Sequence, residues 1–272
     1  MNPPDRDPDG RAGGDLSGRT AVVTGAGRGI GRAIALALGA AGADVVACAR
    51  QPESVAPVCA DIEALGRRAV AVEVDLRDPA QIDRIPEVAL ATFGRIDVLV
   101  NNSGQSGPSA PLWEVATDAW RDTLDVNLTG AYLCCRAVLP AMIARRSGSI
   151  VFIGSVTGKR PLLHRSAYAA SKLGLVGLCR TLAVDAGSYG IRANVVSPGF
   201  VEGQRIDWVI ARQAEAQGRS LEEVRAEAES ETPLKRFVRP EEIADAVVFL
   251  AGDRSCAITG ADLNVAAGLV MY

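Results

Sequence analysis

The 272-residue sequence has a single histidine, His164, and no pair of cysteines at CxxC spacing. Its six cysteines, Cys48, Cys59, Cys134, Cys135, Cys179 and Cys256, are scattered, most of them inside apolar runs. That usage reads as small buried side chains in a reducing compartment, not as disulfides or metal ligands. No cluster has metal-ligand spacing, so no metal is expected, and the lone loop histidine is assigned no role. Basic residues are not in excess: 29 Lys and Arg face 32 Asp and Glu, a formal net charge of -3. Neither nucleic acid nor an anionic membrane is therefore an expected partner. No apolar run approaches the ~18 residues of a membrane span. The opening MNPPDRDPDGRAGGDLSG has no apolar segment after its charges, so it does not read as a secretory signal. Its Pro, Gly, Asp and Arg content predicts a disordered tail over 1–17, and the cytoplasm is the expected location.

What is present is a large apolar fraction, 48%, enough for one substantial core and hence one domain over 18–272. Short apolar runs alternate with helical patterns. The runs 20–25, 44–49, 69–75, 97–102, 149–155, 192–198 and 263–268 are solid in Val, Ile, Leu and Ala without polar alternation. Strands covered on both faces look like this, which predicts a Rossmann-type α/β fold: a doubly wound parallel sheet of seven strands with helices on each side. Ligands of such sheets sit beyond the carboxyl ends of the strands. The first six runs end there in Gly25, Arg50, Asp75, Asn101 with Asn102, Ser155, and Pro198 with Gly199. Polar or special-geometry residues thus gather where the sheet opens onto a ligand, while strand interiors stay apolar.

The stretch TGAGRGIG, Thr24 to Gly31, follows the first strand directly and opens the helical pattern IGRAIALALGAAGA. A pyrophosphate site needs that placement, because the unpaired N–H groups and partial positive charge of a helix N-terminus favour an anion. The second strand ends in Ala49 and Arg50, where NAD enzymes carry a carboxylate against the ribose 2'-hydroxyl. Without that carboxylate a 2'-phosphate is not repelled, and Arg50 offers it a bidentate partner, with Arg28 a second nearby charge. NADP(H) is the expected cofactor, with NAD(H) the alternative.

Tyr168 and Lys172, in YAASK, stand four residues apart and so share one helix face. Ser155 ends a strand thirteen residues upstream of Tyr168, and Asn127 lies in the preceding helix, where an asparagine is a poor helix former. Carbonyl reduction needs a group that exchanges a proton near neutral pH. A tyrosine with a pKa of about 10 must drop about three units, roughly 4 kcal/mol, to serve. A lysine ammonium about 5 Å away at an effective dielectric near 20 supplies roughly 3 kcal/mol, and an oxidised nicotinamide can add the rest. Ser155 would donate to the oxygen on which charge develops.

The glycine spacing TGxxxGxG and the set Asn127, Ser155, Tyr168 and Lys172 together resemble the short-chain dehydrogenase/reductase family, from about Arg19 to Gly268. The resemblance implies that Gly25 makes the turn, Gly29 lets backbone approach the pyrophosphate, and Gly31 lets helix pack on strand. It places Asp75 at the adenine amino group and Asn127 at a water that links Lys172 to solvent. It also places Ile30, Leu76, Asn102, Gly104, Pro198, Gly199 and Val201 along the cofactor, together with Tyr168 and Lys172. NNSG at 101–104 departs mildly from the family's NNAG. A larger departure is Gly203, which stands where the family commonly has a threonine facing the nicotinamide carboxamide.

Beyond SPGF, the stretch 201–232 has Ile206, Val209, Ile210 and Gln213 at helical spacing and the form of a capping box in SLEE from Ser220. A helical lid over the cofactor is expected there, with two surface helices that merely pack on the body as the alternative. The nearest subclass resemblance is to 3-oxoacyl-carrier-protein reductases, whose basic pair docks an acidic carrier protein. Arg145 and Arg146 match the first position, Tyr189 replaces the second, and the lid is acidic, so a free ketone or secondary alcohol competes with acyl carrier protein as partner. The helix holding Tyr168 is apolar nearly all round, which fits burial either against a second copy, as in the tetramers the family forms, or in the core of one subunit.

Overall fold

The computed structural model describes residues 15–272, apart from the side chains of Arg205, Arg212 and Ala216. One sheet carries seven strands in the order β3-β2-β1-β4-β5-β6-β7, every neighbouring pair parallel. The strands are β1 (Thr20–Thr24), β2 (Asp44–Ala49), β3 (Ala69–Glu73), β4 (Val98–Asn101), β5 (Gly148–Ile153), β6 (Ile191–Pro198) and β7 (Asp262–Val265). The order reverses between β1 and β4, so a crevice opens at the carboxyl ends of those two strands.

Nine α-helices connect the strands among the described residues: α1 (Gly29–Ala40), α2 (Ala56–Ala64), α3 (Pro79–Phe93), α4 (Thr117–Leu124), α5 (Gly130–Arg145), α6 (Ser166–Gly187), α7 (Gln204–Gln217), α8 (Leu221–Ser230) and α9 (Pro240–Ala251). Successive strand residues feed opposite cores, since side chains alternate across a sheet. Val22 of β1 packs with Ile82, Cys134, Phe152 and Leu175 of the α3, α5 and α6 side. Its neighbours Ala21 and Val23 pack with Ile34, Ile62 and Val247 of the α1, α2 and α9 side. This double coverage is why the strands read as unbroken apolar runs.

Several boundaries differ from the sequence reading. Leu16, assigned to the tail, is fully buried, and its N–H donates to the Ala41 carbonyl at 2.9 Å. Asp15 and Ser17, also assigned to the tail, flank Leu16 in a turn, and the rest of the expected tail, 1–14, lies outside the described residues. The last strand stops at Val265, because Ala267 (φ 50°) and Gly268 (φ 86°) leave the extended region. Residues Thr117–Arg145 form one continuous helical stretch of 29 residues, long and apolar enough by composition to cross a membrane. Here Cys134, Cys135, Val138 and Met142 instead bury it against the sheet. All six cysteines are free thiols, and burial pushes Cys48 and Cys179 up to about 12.

Candidate active site

The glycine loop sits at the mouth of the crevice. Gly25 and Gly29 hold φ of 66° and 53°, a left-handed conformation that costs a residue with a Cβ. A Cβ on Gly29 would meet nothing within 4 Å, so the backbone there lines open space. A Cβ on Gly31 would lie 2.1 Å from the Gly25 carbonyl oxygen, which makes this glycine the point where α1 presses on the loop. Gly27, not singled out above, packs on the turn after β2, where a Cβ would reach Ser54 Oγ at 2.7 Å. The exposed Arg28 caps α1 without a side-chain hydrogen bond, and Ile30 packs partly buried behind it. An open glycine cradle at an uncapped helix N-terminus is what a dinucleotide pyrophosphate requires, and the residues present fit that group.

Asn102 serves the loop itself. Its Nδ2 donates to the carbonyls of Thr24 (2.8 Å) and Gly25 (3.1 Å), while Thr24 Oγ1 accepts from the N–H groups of Asn102 and Ser103, both at 3.0 Å. The end of β4 is thereby fastened to the end of β1 across the switch point. Thr24 was missed in the sequence because a buried strand-end threonine carries no periodic signal.

Past the ends of β2 and β3, Ala49 and the exposed Arg50 stand beside a charged network. Asp75 accepts from Arg77 Nη1 at 3.2 Å, and Arg77 Nε donates to Asp122 of α4 at 2.6 Å. Gln105 Nε2 donates to the same Asp122 carboxylate at 2.7 Å. The hydrogen bond from Arg77, then that from Gln105, holds the Asp122 carboxyl below its usual range, with Arg50 a minor contributor. Asp75, expected to face adenine, thus shares its carboxylate with Arg77. Leu76 is buried in the core, 2.7 Å from where a Cβ on Gly130 would lie, so its side chain packs under α5.

The four residues of the expected catalytic set come from three places. Ser155 follows β5 and its Oγ accepts from Thr157 N–H at 3.1 Å, which leaves the hydroxyl hydrogen available to donate. Tyr168 and Lys172 occupy the first two turns of α6, with Lys172 Nζ 5.8 Å from the Tyr168 ring centroid and donating to the Ile153 carbonyl at 2.8 Å. Lys172 is buried and Tyr168 half-buried. Asn127 lies in a π turn, Asp125–Thr129, that joins α4 to α5 into one helix. Such turns often mark functional positions, and this one explains the asparagine in a helix interior.

The Asn127 amide is clamped. Its Oδ1 accepts from Gln105 N–H (2.8 Å), and its Nδ2 donates to the Gln105 carbonyl (3.0 Å) and to Ser171 Oγ (3.0 Å). Ser171 in turn donates to the Tyr168 carbonyl at 2.8 Å, so Asn127 and Tyr168 share a support. A Cβ on Gly104 would come within 3.3 Å of both Asn127 Oδ1 and Lys172 Nζ, so this glycine leaves room for the pair. Gln105 and Ser171 were also missed in the sequence, although Ser171 stands inside YAASK.

On the far side, Pro198 ends β6 buried, and a Cβ on Gly199 would strike Ala266 at 2.9 Å. Val201 forms an isolated parallel bridge with Val238. Gly203 has φ 129°, which a threonine would resist; its carbonyl opens α7 by accepting from Ile206 and Asp207. The Ser220 capping box is present, with Glu223 N–H to Ser220 Oγ at 3.2 Å and Ser220 N–H to Glu223 Oε2 at 3.0 Å. Arg146 Nη2 donates to the Ser188 carbonyl at 2.6 Å, and its guanidinium stacks on Tyr189. The arginine expected at a docking position is thus already engaged with the end of α6. Among the described residues no cluster of three or more His, Cys, Asp or Glu could hold a metal.

Residues 25–270 match the family model described as enoyl-(acyl carrier protein) reductase. The chain is 38% identical over 257 residues to the 3-oxoacyl-[acyl-carrier-protein] reductase of Escherichia coli, covering 94% of this chain and 99% of that one. Among solved structures, NAD+-bound xylitol dehydrogenase superposes with a TM-score of 0.88 at 30% identity, covering 93% of this chain and 99% of that one. Carveol dehydrogenase from Mycobacterium avium, in complex with NAD, gives 0.89 at 30% identity, covering 94% and 99%. With the switch-point crevice, the glycine cradle and the Tyr168–Lys172 pair in one place, these likenesses identify the chain as a member of the short-chain dehydrogenase/reductase family, an oxidoreductase that uses a nicotinamide dinucleotide.

Proposed function

We propose that the protein interconverts a ketone and a secondary alcohol, with NADP(H) as the preferred cofactor. The observation that carries this reading is Lys172, whose Nζ donates to the Ile153 carbonyl at the carboxyl end of β5, two residues before Ser155, and lies 5.8 Å from the Tyr168 ring centroid. The dinucleotide, when bound, supplies or accepts the hydride. In reduction, Tyr168 gives its phenolic proton to the carbonyl oxygen, and the Ser155 hydroxyl donates to the same oxygen as charge builds there. The Lys172 ammonium favours the phenolate that remains. Asn127, held by its three hydrogen bonds to Gln105 and Ser171, keeps its Oδ1 near Lys172, where a water linking that lysine to solvent would stand.

The preference for NADP(H) is supported by Ala49 and the exposed Arg50, although both structural neighbours above carry NAD. A free carbonyl compound is favoured over a carrier-bound one because Arg146 is tied to Ser188 and Tyr189. A homotetramer in the cytoplasm is supported by Leu173 and Val184, which stand exposed on α6, and by the free thiols. Tyr168→Phe should lower kcat for reduction of a reactive dicarbonyl by ~10²–10⁴-fold with the fold intact by circular dichroism. Unchanged turnover would remove the catalytic assignment. Arg50→Ala should weaken NADPH far more than NADH in a fluorescence titration, and equal weakening would overturn the cofactor preference.

A further inference from the structure

Two loops leave the carboxyl ends of β4 and β5 and meet beside the start of α6. Between them lies an open, shallow concavity of about 500 Å3. One wall is Pro111, Leu112 and Trp113, and the other is Pro161, Leu162 and Leu163. The loops are joined by a hydrogen bond from Ala110 N–H to the His164 carbonyl at 3.3 Å. His164 holds φ 62°, a conformation that costs a non-glycine residue and turns the second loop towards the first.

Trp113 is 84% exposed and Leu163 83%, and Leu112 is also uncovered. Single exposed apolar side chains are ordinary, but several large ones around one hollow mark a binding surface. The hollow adjoins the reaction centre through Arg165. This residue lines it, and its guanidinium carbon lies 5.3 Å from the Tyr168 ring centroid. Ser166 and Ala169, which also line it, flank Tyr168 on α6.

We propose that this concavity receives the apolar body of the substrate, so that the protein acts on a hydrophobic ketone or secondary alcohol bearing a ring or alkyl chain, not on a polyol. The proposal rests on the carbonyl–alcohol reading above. A polyol placed here would give up hydrogen bonds to water for a lining whose polar side-chain groups are few, the Trp113 indole N–H, His164 and Arg165, the Ser166 hydroxyl being buried. An alicyclic or alkyl group would cover Trp113 and Leu163 while its carbonyl stays beside Tyr168.

The test compares 1-decalone, 2,3-butanedione and xylitol as substrates of the wild type, Trp113→Ala and Leu163→Asp, with both cofactors. The same proteins are titrated with the aryl dye 8-anilinonaphthalene-1-sulfonate, whose binding needs no turnover. The expected result is a wild-type preference for decalone and a fall of at least about tenfold in the decalone to butanedione ratio of kcat/KM in each variant. Dye affinity should weaken in parallel. Both side chains are exposed, so each variant is expected to fold. An unchanged ratio with unchanged dye binding, or a wild type that prefers xylitol, overturns the inference. Dye binding that weakens in both variants while no carbonyl or alcohol is turned over would uphold the apolar pocket and instead refute the proposed reaction.

Discussion

The sheet body and the α7–α8 hairpin are built on different scales. The body has two extensive cores, one on each face of the sheet, with Phe152, Met142, Ile34 and Leu38 among their fully buried side chains. The hairpin has a satellite cluster whose buried members are Ile210, Ala214, Val224 and Phe237. Surface ion pairs add to it, Arg225 to Asp207 and Glu229 at 3.1 Å each and Arg219 to Glu227, and exposed pairs of this kind contribute little. The base is fixed by the Val201–Val238 bridge and by Arg236, which meets the Glu242 carboxylate of α9 through two hydrogen bonds of 2.7 Å. A segment with a small core on a fixed base opens more easily than the sheet below it, which is the property a substrate cover needs. In the proposed reaction the body would hold Ser155, Tyr168 and Lys172, and the hairpin, with its smaller core, would be the part that covers them.

The sharpest test sets one buried side chain of each region against the other. Phe152→Ala should cost about 3–5 kcal/mol and lower the thermal midpoint of the whole protein. Ile210→Ala should move that midpoint much less and chiefly speed amide exchange across 204–230. Equal midpoint shifts, with no local change in exchange, would show that hairpin and body unfold as one unit.

A smaller effect is expected where the body meets the cofactor. In Gly31→Ala the new methyl meets backbone at 2.1 Å, so about 1–3 kcal/mol of stability should be lost together with dinucleotide binding. In Gly29→Ala the methyl enters open space on a φ of 53°, so about 1 kcal/mol of stability is lost, although the methyl lies in the proposed phosphate cradle. Calorimetry with and without NADPH separates the two, and equal loss of stability would contradict the packing role of Gly31.

The smallest effect concerns the base of the hairpin. The hydrogen bonds from Arg236 and then from the Arg239 backbone hold the Glu242 carboxyl down to about 2. Because the folded value lies below the ordinary one, the contribution is present above the usual carboxylate range and is lost as pH falls towards about 2. Glu242→Gln should therefore flatten the decline of the melting temperature across that acid window, by an amount small for a pair in contact with solvent. An identical acid limb in the variant would show that this pair does not anchor the hairpin.

Much of the body was legible because its physics is periodic or local. Strands buried on both faces must be apolar throughout, and a loop that turns sharply onto a helix must carry glycine. Helix geometry puts Tyr168 and Lys172 on one face, and it was the resemblance to the short-chain dehydrogenase/reductase family that joined Ser155 and Asn127 to them. Less visible were contacts between segments far apart in the chain: Asn102 on the Thr24 and Gly25 carbonyls, Gln105 around the Asn127 amide, and Arg77 between Asp75 and Asp122. Nothing in the local pattern of an asparagine or a glutamine says which distant backbone it will meet.

By itself, then, the sequence determined the parallel α/β architecture, the glycine turn at the first strand and the shared helix face of Tyr168 and Lys172, because each follows from short-range sterics and from which faces must be covered. Only the tertiary structure decided that Leu16 belongs to the core, that Asn127 sits in a π turn with its amide spent on Gln105 and Ser171, and that Trp113 and Leu163 surround one hollow beside Tyr168. Those outcomes depend on where separate loops come to rest on the sheet, and that is set by packing over the whole chain rather than by any stretch of it.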